Sequence, residues 1–153
     1  MDTRLCYAGS MQAQTSSQPA PGHRRPVDLA SPDAAAKALR VFFRLADEWN
    51  LSAADRQRLL GVSRSVFFRW QAGKVATALD QATSERLSYI FRIYSALQVL
   101  LPVRERANAW IHQPNTGPLF GGQPALERML GGQTGDLKEV ADYLDAQRGG
   151  DFA

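Results

Sequence analysis

Residues 110–124 read WIHQPNTGPLFGGQP, a run in which helix-forming segments meet a dense set of turn residues. Pro124 suits the first turn of a helix, where its missing N–H costs nothing. Gly131 and Gly132 follow soon after and allow backbone angles that other residues resist. The pattern therefore predicts a helix, a structured loop, a short helix, a turn and a final helix. This arrangement is typical of a recognition module and not of an active site.

Two side chains distinguish the predicted loop, residues 113–122. Asn115 is suited to bonding its own backbone, and Phe120 is suited to anchoring the loop. The helix before the loop runs from about Val103 to His112. Its periodicity places three residues on the inward side, namely Ala107, Trp110 and Ile111.

The last predicted helix starts near Asp136, with Glu139 completing a capping box, and ends at Gly149 and Gly150. We expect it to expose Tyr143, Leu144 or both. Beyond the glycines the sequence continues with Asp151, Phe152 and Ala153, a short tail of the kind that enters pockets closed to folded elements. The residue types alone favour a frayed end without a role.

The first thirty residues have a different composition from the rest of the chain. They are rich in Ser, Gln, Pro, Gly and Ala, and too poor in aliphatic residues to offset the entropy of ordering, so we predict a disordered tail. Order is predicted to begin at Ser31 and Pro32, a helix cap followed by proline at the first helical position. This helix runs to about Trp49, with an inward stripe of Leu39, Phe42, Phe43, Ala46 and Trp49.

Residues 51–74 resemble a helix-turn-helix unit. Ser52 and Asp55 fit a capping box, Gly61 can end the first helix in the left-handed conformation, and Ser63 can cap the second helix. The buried positions of such a unit hold Leu60, Val62, Phe67 and Trp70. The sequence departs from the usual pattern at Arg56 and Gln57, where an apolar and a small residue are typical.

The outward face of the second helix carries the candidate DNA-binding residues, which are Ser63, Arg64, Ser65, Phe68, Arg69 and Lys74. Arginine can bond guanine through two hydrogen bonds, and Ser63 and Ser65 can reach phosphates. Phe68 suits either a thymine methyl group or the surface of another subunit.

A long helix is predicted from a cap at Thr83 to Leu101, where Pro102 stops or redirects it. Its apolar stripe is longer than a small helix-turn-helix needs, so it either joins the two halves of the chain or buries part of a dimer interface. We favour the core within one chain. The stripe consists of Leu87, Ile90, Phe91, Tyr94, Leu97 and Leu101.

The charges divide between the halves of the chain. Residues 37–74 hold eight cations against three anions, a net charge of +5, whereas residues 103–153 hold five against seven, a net charge of −2. A phosphate backbone needs concentrated cations, so DNA belongs with the first half. The alternative is that these arginines only solvate exposed helix faces.

Several other functions lack support in the 153 residues. With 44% hydrophobic residues the chain can bury a core, but no run approaches the roughly 20 apolar residues that span a bilayer. We therefore expect a cytoplasmic protein without membrane contact. Cys6 is the single cysteine, which argues against a disulfide scaffold or a zinc site. His23 and His112 have no catalytic partner at recognisable spacing, and we expect no enzyme activity, metal or cofactor.

From roughly Leu39 onward, the chain resembles the Xre/MbcA/ParS-type antitoxins, which neutralise RES-domain toxins. The most specific part is the run from Trp110 to Pro114 and the glycine-spaced helix pair after it. The resemblance implies an all-α fold with an Xre-like helix-turn-helix packed against a small helical toxin-binding domain. It divides the chain into a disordered tail (1–30), a DNA-binding region with the long connecting helix (31–101) and a toxin-binding domain (102–153).

The same resemblance implies partners. In these antitoxins the C-terminal region lies against the toxin and blocks its NAD-binding site. We accordingly expect a RES-domain toxin, operator DNA and a second copy of the chain as partners. The implied toxin-binding residues are Asn115, Phe120, Tyr143, Gly149, Gly150, Asp151, Phe152 and Ala153. A stand-alone transcriptional regulator is the alternative function.

Overall fold

The computed structural model describes residues 30–150, which form seven α-helices, one 3-10 turn and no strand. The predicted all-α class is confirmed. Most of the predicted N-terminal tail lies outside the described residues, as do Asp151, Phe152 and Ala153. The helices are α1 (Pro32–Glu48), α2 (Ala53–Leu60), α3 (Arg64–Gln71), α4 (Gln81–Leu100), α5 (Arg104–Ala109), α6 (Ala125–Met129) and α7 (Thr134–Arg148), with the 3-10 turn at Trp110–His112.

The first three helices begin at the predicted serine caps. Ser31 accepts a hydrogen bond from the N–H of Ala34 at 3.1 Å, and Ser52 accepts one from Asp55 at 3.1 Å. Ser63 caps α3 through the N–H of Val66 at 3.4 Å. Each cap satisfies a backbone donor that the first turn of a helix leaves free.

Arg56 and Gln57, which depart from the usual helix-turn-helix pattern, both bond the backbone around α2. The Nε of Arg56 donates to the carbonyl of Leu51 at 2.9 Å, and its guanidinium pairs with Asp47 at 2.7 Å. The amide of Gln57 donates to the carbonyl of Val62 at 3.1 Å, inside the turn. These polar side chains therefore add hydrogen bonds within the unit to the apolar contacts of its buried residues, Leu59, Leu60 and Phe67.

Helix α4 is the centre of the fold. It packs along α7 more extensively than any other two helices pack, and it also contacts α1, α2 and α5. Among the predicted stripe, Phe91, Tyr94 and Leu101 are partly buried, and the fully buried members are Leu87, Ile90 and Leu97. The stripe thus forms a core within one chain, as we favoured. None of the helices in residues 30–150 is long and apolar enough to cross a membrane.

Two predicted helix caps were wrong. The cap of α4 is Asp80, whose carboxylate accepts from the N–H of Thr83 at 2.9 Å, so Thr83 lies inside the first turn. Helix α7 begins at Thr134, and Asp136 stands at its third position, accepting from the N–H of Gln133 at 3.3 Å.

Three smaller corrections concern the C-terminal half. Glu139 pairs with Arg128 of α6 and takes no part in a capping box. Leu144 is buried in the core, so the prediction of its exposure was wrong, and Tyr143 is half-buried. Pro124 directly precedes α6 and occupies its cap position instead of its first turn.

Long-range polar contacts tie the two halves of the chain together. Arg86 of α4 donates to the carbonyl of Leu59 in α2 at 3.5 Å and to that of Gly132 at 2.6 Å. Glu48, at the end of α1, accepts from the Tyr94 hydroxyl at 2.6 Å and from Arg104. The helix-turn-helix region and the C-terminal helices are therefore joined by hydrogen bonds as well as by the core.

Candidate functional site

The outward face of α3 carries the predicted DNA-binding residues as expected from the sequence. All six are solvent-exposed, from Ser63 at the cap to Lys74 in the turn beyond the helix. Phe67 faces the other way and is buried, with its ring 5.9 Å from that of Phe43 in α1. Helix α3 therefore separates a buried apolar side from an exposed polar and cationic side.

Arg64 and Phe68 form a pair on this face. The Arg64 guanidinium lies 5.4 Å from the centre of the Phe68 ring, within reach of a cation–π contact. Phe68 remains 45% exposed, which is large for an aromatic residue on a helix with a buried side. The ring therefore contacts the Arg64 guanidinium and still exposes apolar surface that a partner can contact.

The cations of the two halves differ in their ion pairing. In residues 37–74, only Lys37 and Arg56 make an ion pair within the described part of the chain. In residues 103–150, all cations except Arg106 make one. The N-terminal half therefore holds most of the cations that make no ion pair within residues 30–150. In this half they are Arg40, Arg44, Arg58, Arg64, Arg69 and Lys74.

The loop between the 3-10 turn and α6 has a defined structure. The Asn115 side chain accepts from the N–H of Gly117 at 2.8 Å, and an isolated antiparallel bridge joins Pro114 to Pro124. Phe120 is buried, and its ring contacts Trp110 and Tyr143 edge-on at centroid distances of 5.8 and 5.1 Å. The predictions for the conformations of Asn115 and Phe120 are confirmed.

The exposed end of α7 directly precedes the predicted toxin-binding tail in the sequence. Gly149 and Gly150 are exposed, and Gly150 has a φ of +75°. The candidate residues 151–153 follow outside the described residues. Tyr143 stands two turns earlier on α7, against the loop. The structure thus brings Asn115, Phe120 and Tyr143 into one cluster and leaves the two glycines at the helix end.

The acidic side chains of α7 are engaged in ion pairs. Arg92 of α4 contacts Asp142 at 3.0 Å and Asp145 at 2.5 Å, and Lys138 also pairs with Asp142. Hydrogen bonds from Lys138 and then Arg92 lower the pKa of Asp142 below its usual value. Asp142 and Asp145 therefore fix α7 against α4.

A polar junction of Glu48, Tyr94, Arg104 and Asn108 was not found from the sequence. Glu48 accepts from the other three side chains. The Tyr94 hydroxyl is the main cause of a lowered pKa at Glu48, and the Arg104 and Asn108 contacts act in the same direction. The partners are 46 to 60 residues from Glu48 in the chain, so no local pattern predicts the junction.

The surroundings of His112 do not suggest catalysis. Its Nε2 lies 2.6 Å from the carbonyl oxygen of Trp49, so the ring joins the end of α1 to the 3-10 turn. Within residues 30–150, no group of three His, Cys, Asp or Glu side chains is placed to hold a metal ion. Within the described part of the chain, the candidate surfaces for macromolecules are the α3 face and the loop with the end of α7.

An exposed, cationic second helix in a helix-turn-helix, joined to a compact helical unit, defines a class of two-part binding proteins. Comparison with known proteins identifies both parts. Residues 28–92 match the Antitoxin Xre-like helix-turn-helix domain, and residues 96–150 match the Antitoxin Xre/MbcA/ParS C-terminal toxin-binding domain. The chain belongs to the Xre/MbcA/ParS family of antitoxins.

A curated relative extends this likeness over most of the chain. The Uncharacterized protein y4oB of Sinorhizobium fredii is 49% identical over 113 residues, which cover 73% of this chain and 84% of that protein. The toxin-binding domain implies a toxin as partner.

Proposed function

We propose that this antitoxin binds a RES-domain toxin in the cytoplasm and blocks the NAD-binding site of that toxin with the end of α7 and residues 149–153. In the same proposal, the outward face of α3 binds operator DNA and represses the operon that encodes both proteins. The protein acts by steric exclusion and DNA binding, without catalysis of its own.

The unpaired cations of the α3 face are the observation that carries the DNA-binding part. Arg64 and Arg69 are exposed and make no ion pair within residues 30–150, so they are free to contact phosphates and guanine bases. The Ser63 oxygen accepts the capping bond and lies 3.3 Å from the Ser65 hydroxyl, so the two serines form an exposed hydroxyl pair that can donate to a phosphate. Phe68 offers its exposed edge to a thymine methyl group.

The toxin-blocking part is supported by the matched domain and by the geometry at the end of α7. The ring of Phe120 packs edge-on against those of Trp110 and Tyr143 and forms a packed platform, of which Tyr143 belongs to the helix that precedes residues 149–153. A rigid platform orders few side chains on binding, and the two glycines let the last residues turn into a cleft. We assign the toxin contacts to Asn115, Phe120, Tyr143 and residues 149–153.

A homodimer belongs to the same proposal. A single α3 of eight residues reads only a short stretch of major groove, and helix-turn-helix proteins commonly pair to read two half-sites. Light scattering of the purified chain measures its mass directly. A monomer at the concentrations that protect cells would contradict this part alone.

Co-expression with the product of the adjacent gene tests the central claim. Rescue of growth, together with co-purification of both proteins, would support the antitoxin function with that toxin. The toxin, purified alone, should consume NAD, and added antitoxin should stop this consumption. If the neighbour is not toxic and forms no complex, a stand-alone helix-turn-helix regulator becomes the better account.

Two variants separate the two surfaces within the same assay. Arg64→Ala combined with Arg69→Ala should weaken operator binding and leave protection from the toxin intact. Deletion of residues 149–153 should weaken protection from the toxin and leave operator binding intact. Equal loss of both activities in either variant would indicate misfolding or one shared surface, and unchanged protection by the deletion variant would refute the blocking tail.

A further inference from the structure

A cleft of about 470 Å³ lies between α1 and the end of α3. Helix α1 contributes Arg40, Phe43 and Arg44 to its wall, and the other wall includes Trp70 and Gln71. Phe43 and Trp70 are partly buried, so they form an apolar floor beneath the arginines. The size of the cleft is that of a ligand groove, and it belongs to neither surface described above.

The arginines of this cleft outnumber the carboxylates that line it. Three arginines and one aspartate line it, and the aspartate, Asp47, is occupied by Arg56 at 2.7 Å. Arg40 and Arg44 are exposed, make no ion pair within residues 30–150 and stand one helical turn apart on α1. Like charges at this spacing destabilise a helix, so the arrangement suits an anionic partner that binds both.

The cleft is continuous with the outward face of α3. Arg64, Phe68 and Gln71 follow one another at spacings of four and three residues, so they share one side of the helix. Gln71, the last of them, is also part of the cleft wall. Lys74, which is exposed, lies between two further lining residues, Gly73 and Val75. Positive charge therefore runs from α3 through the turn after it and onto α1.

We propose that the cleft seats the sugar–phosphate backbone of the DNA duplex whose bases face α3, with Arg40 and Arg44 each contacting a phosphate. The inference rests on the proposed DNA binding and adds contacts from α1, outside the helix-turn-helix. Backbone contacts fix the register of a protein on DNA and carry no sequence information of their own. The partly buried rings of Phe43 and Trp70 provide a surface for the arginine stems.

A salt series with a charge-removing variant and a charge-keeping variant tests this assignment. Fluorescence anisotropy would follow binding to a labelled duplex from the promoter region of the chain's own gene and to a scrambled duplex of equal length. Arg40→Gln with Arg44→Gln should weaken both complexes by the same factor. The slope of log K against log salt should fall in magnitude by about 2, because each phosphate contact contributes about 0.9.

Two controls accompany the glutamine variant. Arg40→Lys with Arg44→Lys keeps both charges and should retain most of the wild-type slope. Arg106→Gln removes an exposed cation of the C-terminal half that makes no ion pair within residues 30–150, and it should leave the slope unchanged. Thermal melting of each variant checks that the fold is intact.

The outcomes distinguish this inference from the function on which it rests. An unchanged slope in a folded glutamine variant, with normal wild-type binding, would overturn the α1 contacts and leave DNA binding by α3 standing. Unchanged DNA binding with a weakened toxin complex would also overturn them, and would assign the cleft to an acidic protein surface. If the wild type binds neither duplex, the proposed DNA binding itself fails.

Discussion

Gly61, between α2 and α3, combines two constraints at one residue. Its φ of +68° is in the left-handed region, which costs residues with a Cβ roughly 1–2 kcal/mol. A Cβ at this position would also lie 2.7 Å from the Nε of Arg86, closer than non-bonded atoms approach. The backbone conformation therefore favours glycine, and a Cβ would also displace the Arg86 guanidinium from its acceptors, the carbonyls of Leu59 and Gly132.

Substitution of Gly61 by alanine should lower the free energy of unfolding by about 2 kcal/mol or more, because strain and collision add. Gly73→Ala is a matched control, since Gly73 has a φ of +81° and open space around it. It should cost only the strain, about 1 kcal/mol. Urea unfolding followed by circular dichroism measures both.

A double variant separates the two effects at Gly61. In the background of Arg86→Ala the colliding guanidinium is gone, so Gly61→Ala should cost no more than Gly73→Ala does. An equal cost of Gly61→Ala with and without Arg86 would mean that the collision contributes nothing.

Glu48 links protonation to stability at the junction of α1, α4 and α5. Its pKa is lowered in the folded chain, first by the Tyr94 hydroxyl. A carboxyl group of this kind stabilises the fold above its unfolded pKa, near 4.5, and loses that contribution as the pH falls through its folded pKa. Asp80 and Asp142 also have lowered pKa values, so the wild type weakens in acid for several reasons.

The variant Glu48→Gln isolates the contribution of Glu48 to the loss of stability in acid. It should be less stable than the wild type at neutral pH, and the difference should shrink as the pH falls below about 4.5. Tyr94→Phe removes the main donor and should likewise reduce the acid dependence. Thermal melting over a pH series measures the effect, and a constant difference between wild type and Glu48→Gln at all pH values would contradict it.

At the scale of elements, the loop of residues 113–123 depends on one aromatic ring. Phe120 is 6% exposed and packs edge-on against Trp110 and Tyr143. Phe120→Ala should lower the free energy of unfolding by about 3 kcal/mol and increase amide exchange in the loop. Tyr143→Phe keeps the ring and should cost much less. Loss of toxin binding without faster exchange in Phe120→Ala would mean that Phe120 contacts the toxin directly.

The helix boundaries illustrate what local sequence can predict. Ser31, Ser52 and Ser63 were found because each stands directly before a helix with an apolar stripe. The start of α4 was missed because Thr83 and Asp80 are both capping residues, although aspartate is the stronger of the two. The start of α7 was missed because its cap position holds Gln133, a residue outside the usual capping set.

The candidate surfaces were predictable to different degrees. The outward face of α3 follows from helical periodicity, so the residues predicted on it are all exposed, although Gln71, which is also exposed there, was not identified. The cleft beside it was not, because it requires Arg40 and Arg44 of α1 to meet Trp70 and Gln71 across 25 to 30 intervening residues. Burial of Leu144 was missed for a similar reason, since the face of α7 that packs on α4 depends on the angle between them.

At the scale of the whole molecule, the packing of α7 along α4 predicts one cooperative unit and not two independent domains. A chain that ends at Leu101 would uncover the apolar side of α4, which includes Ile93 and Leu97. Each such side chain contributes about 1.5–3 kcal/mol when buried, so this fragment should fail to fold or should aggregate.

Circular dichroism and gel filtration of the fragment test this expectation. A chain that ends at Arg148 keeps α7 and is the matched control, which should melt like the wild type. A cooperative melting transition in the fragment that ends at Leu101 would instead support separable domains, with the boundary predicted from the sequence.

Arg86 restricts which C-terminal halves of other antitoxins can be joined to the helix-turn-helix region of this protein. It joins the carbonyl of Leu59, the glycine at position 61 and the carbonyl of Gly132, which lie on both sides of the junction between the two matched domains. In a chimera whose C-terminal half comes from another antitoxin, the Arg86 guanidinium would therefore face a different acceptor in place of the Gly132 carbonyl. A chimera designed to bind a different operator should therefore take Leu59, Gly61 and Gly132 from the same parent protein.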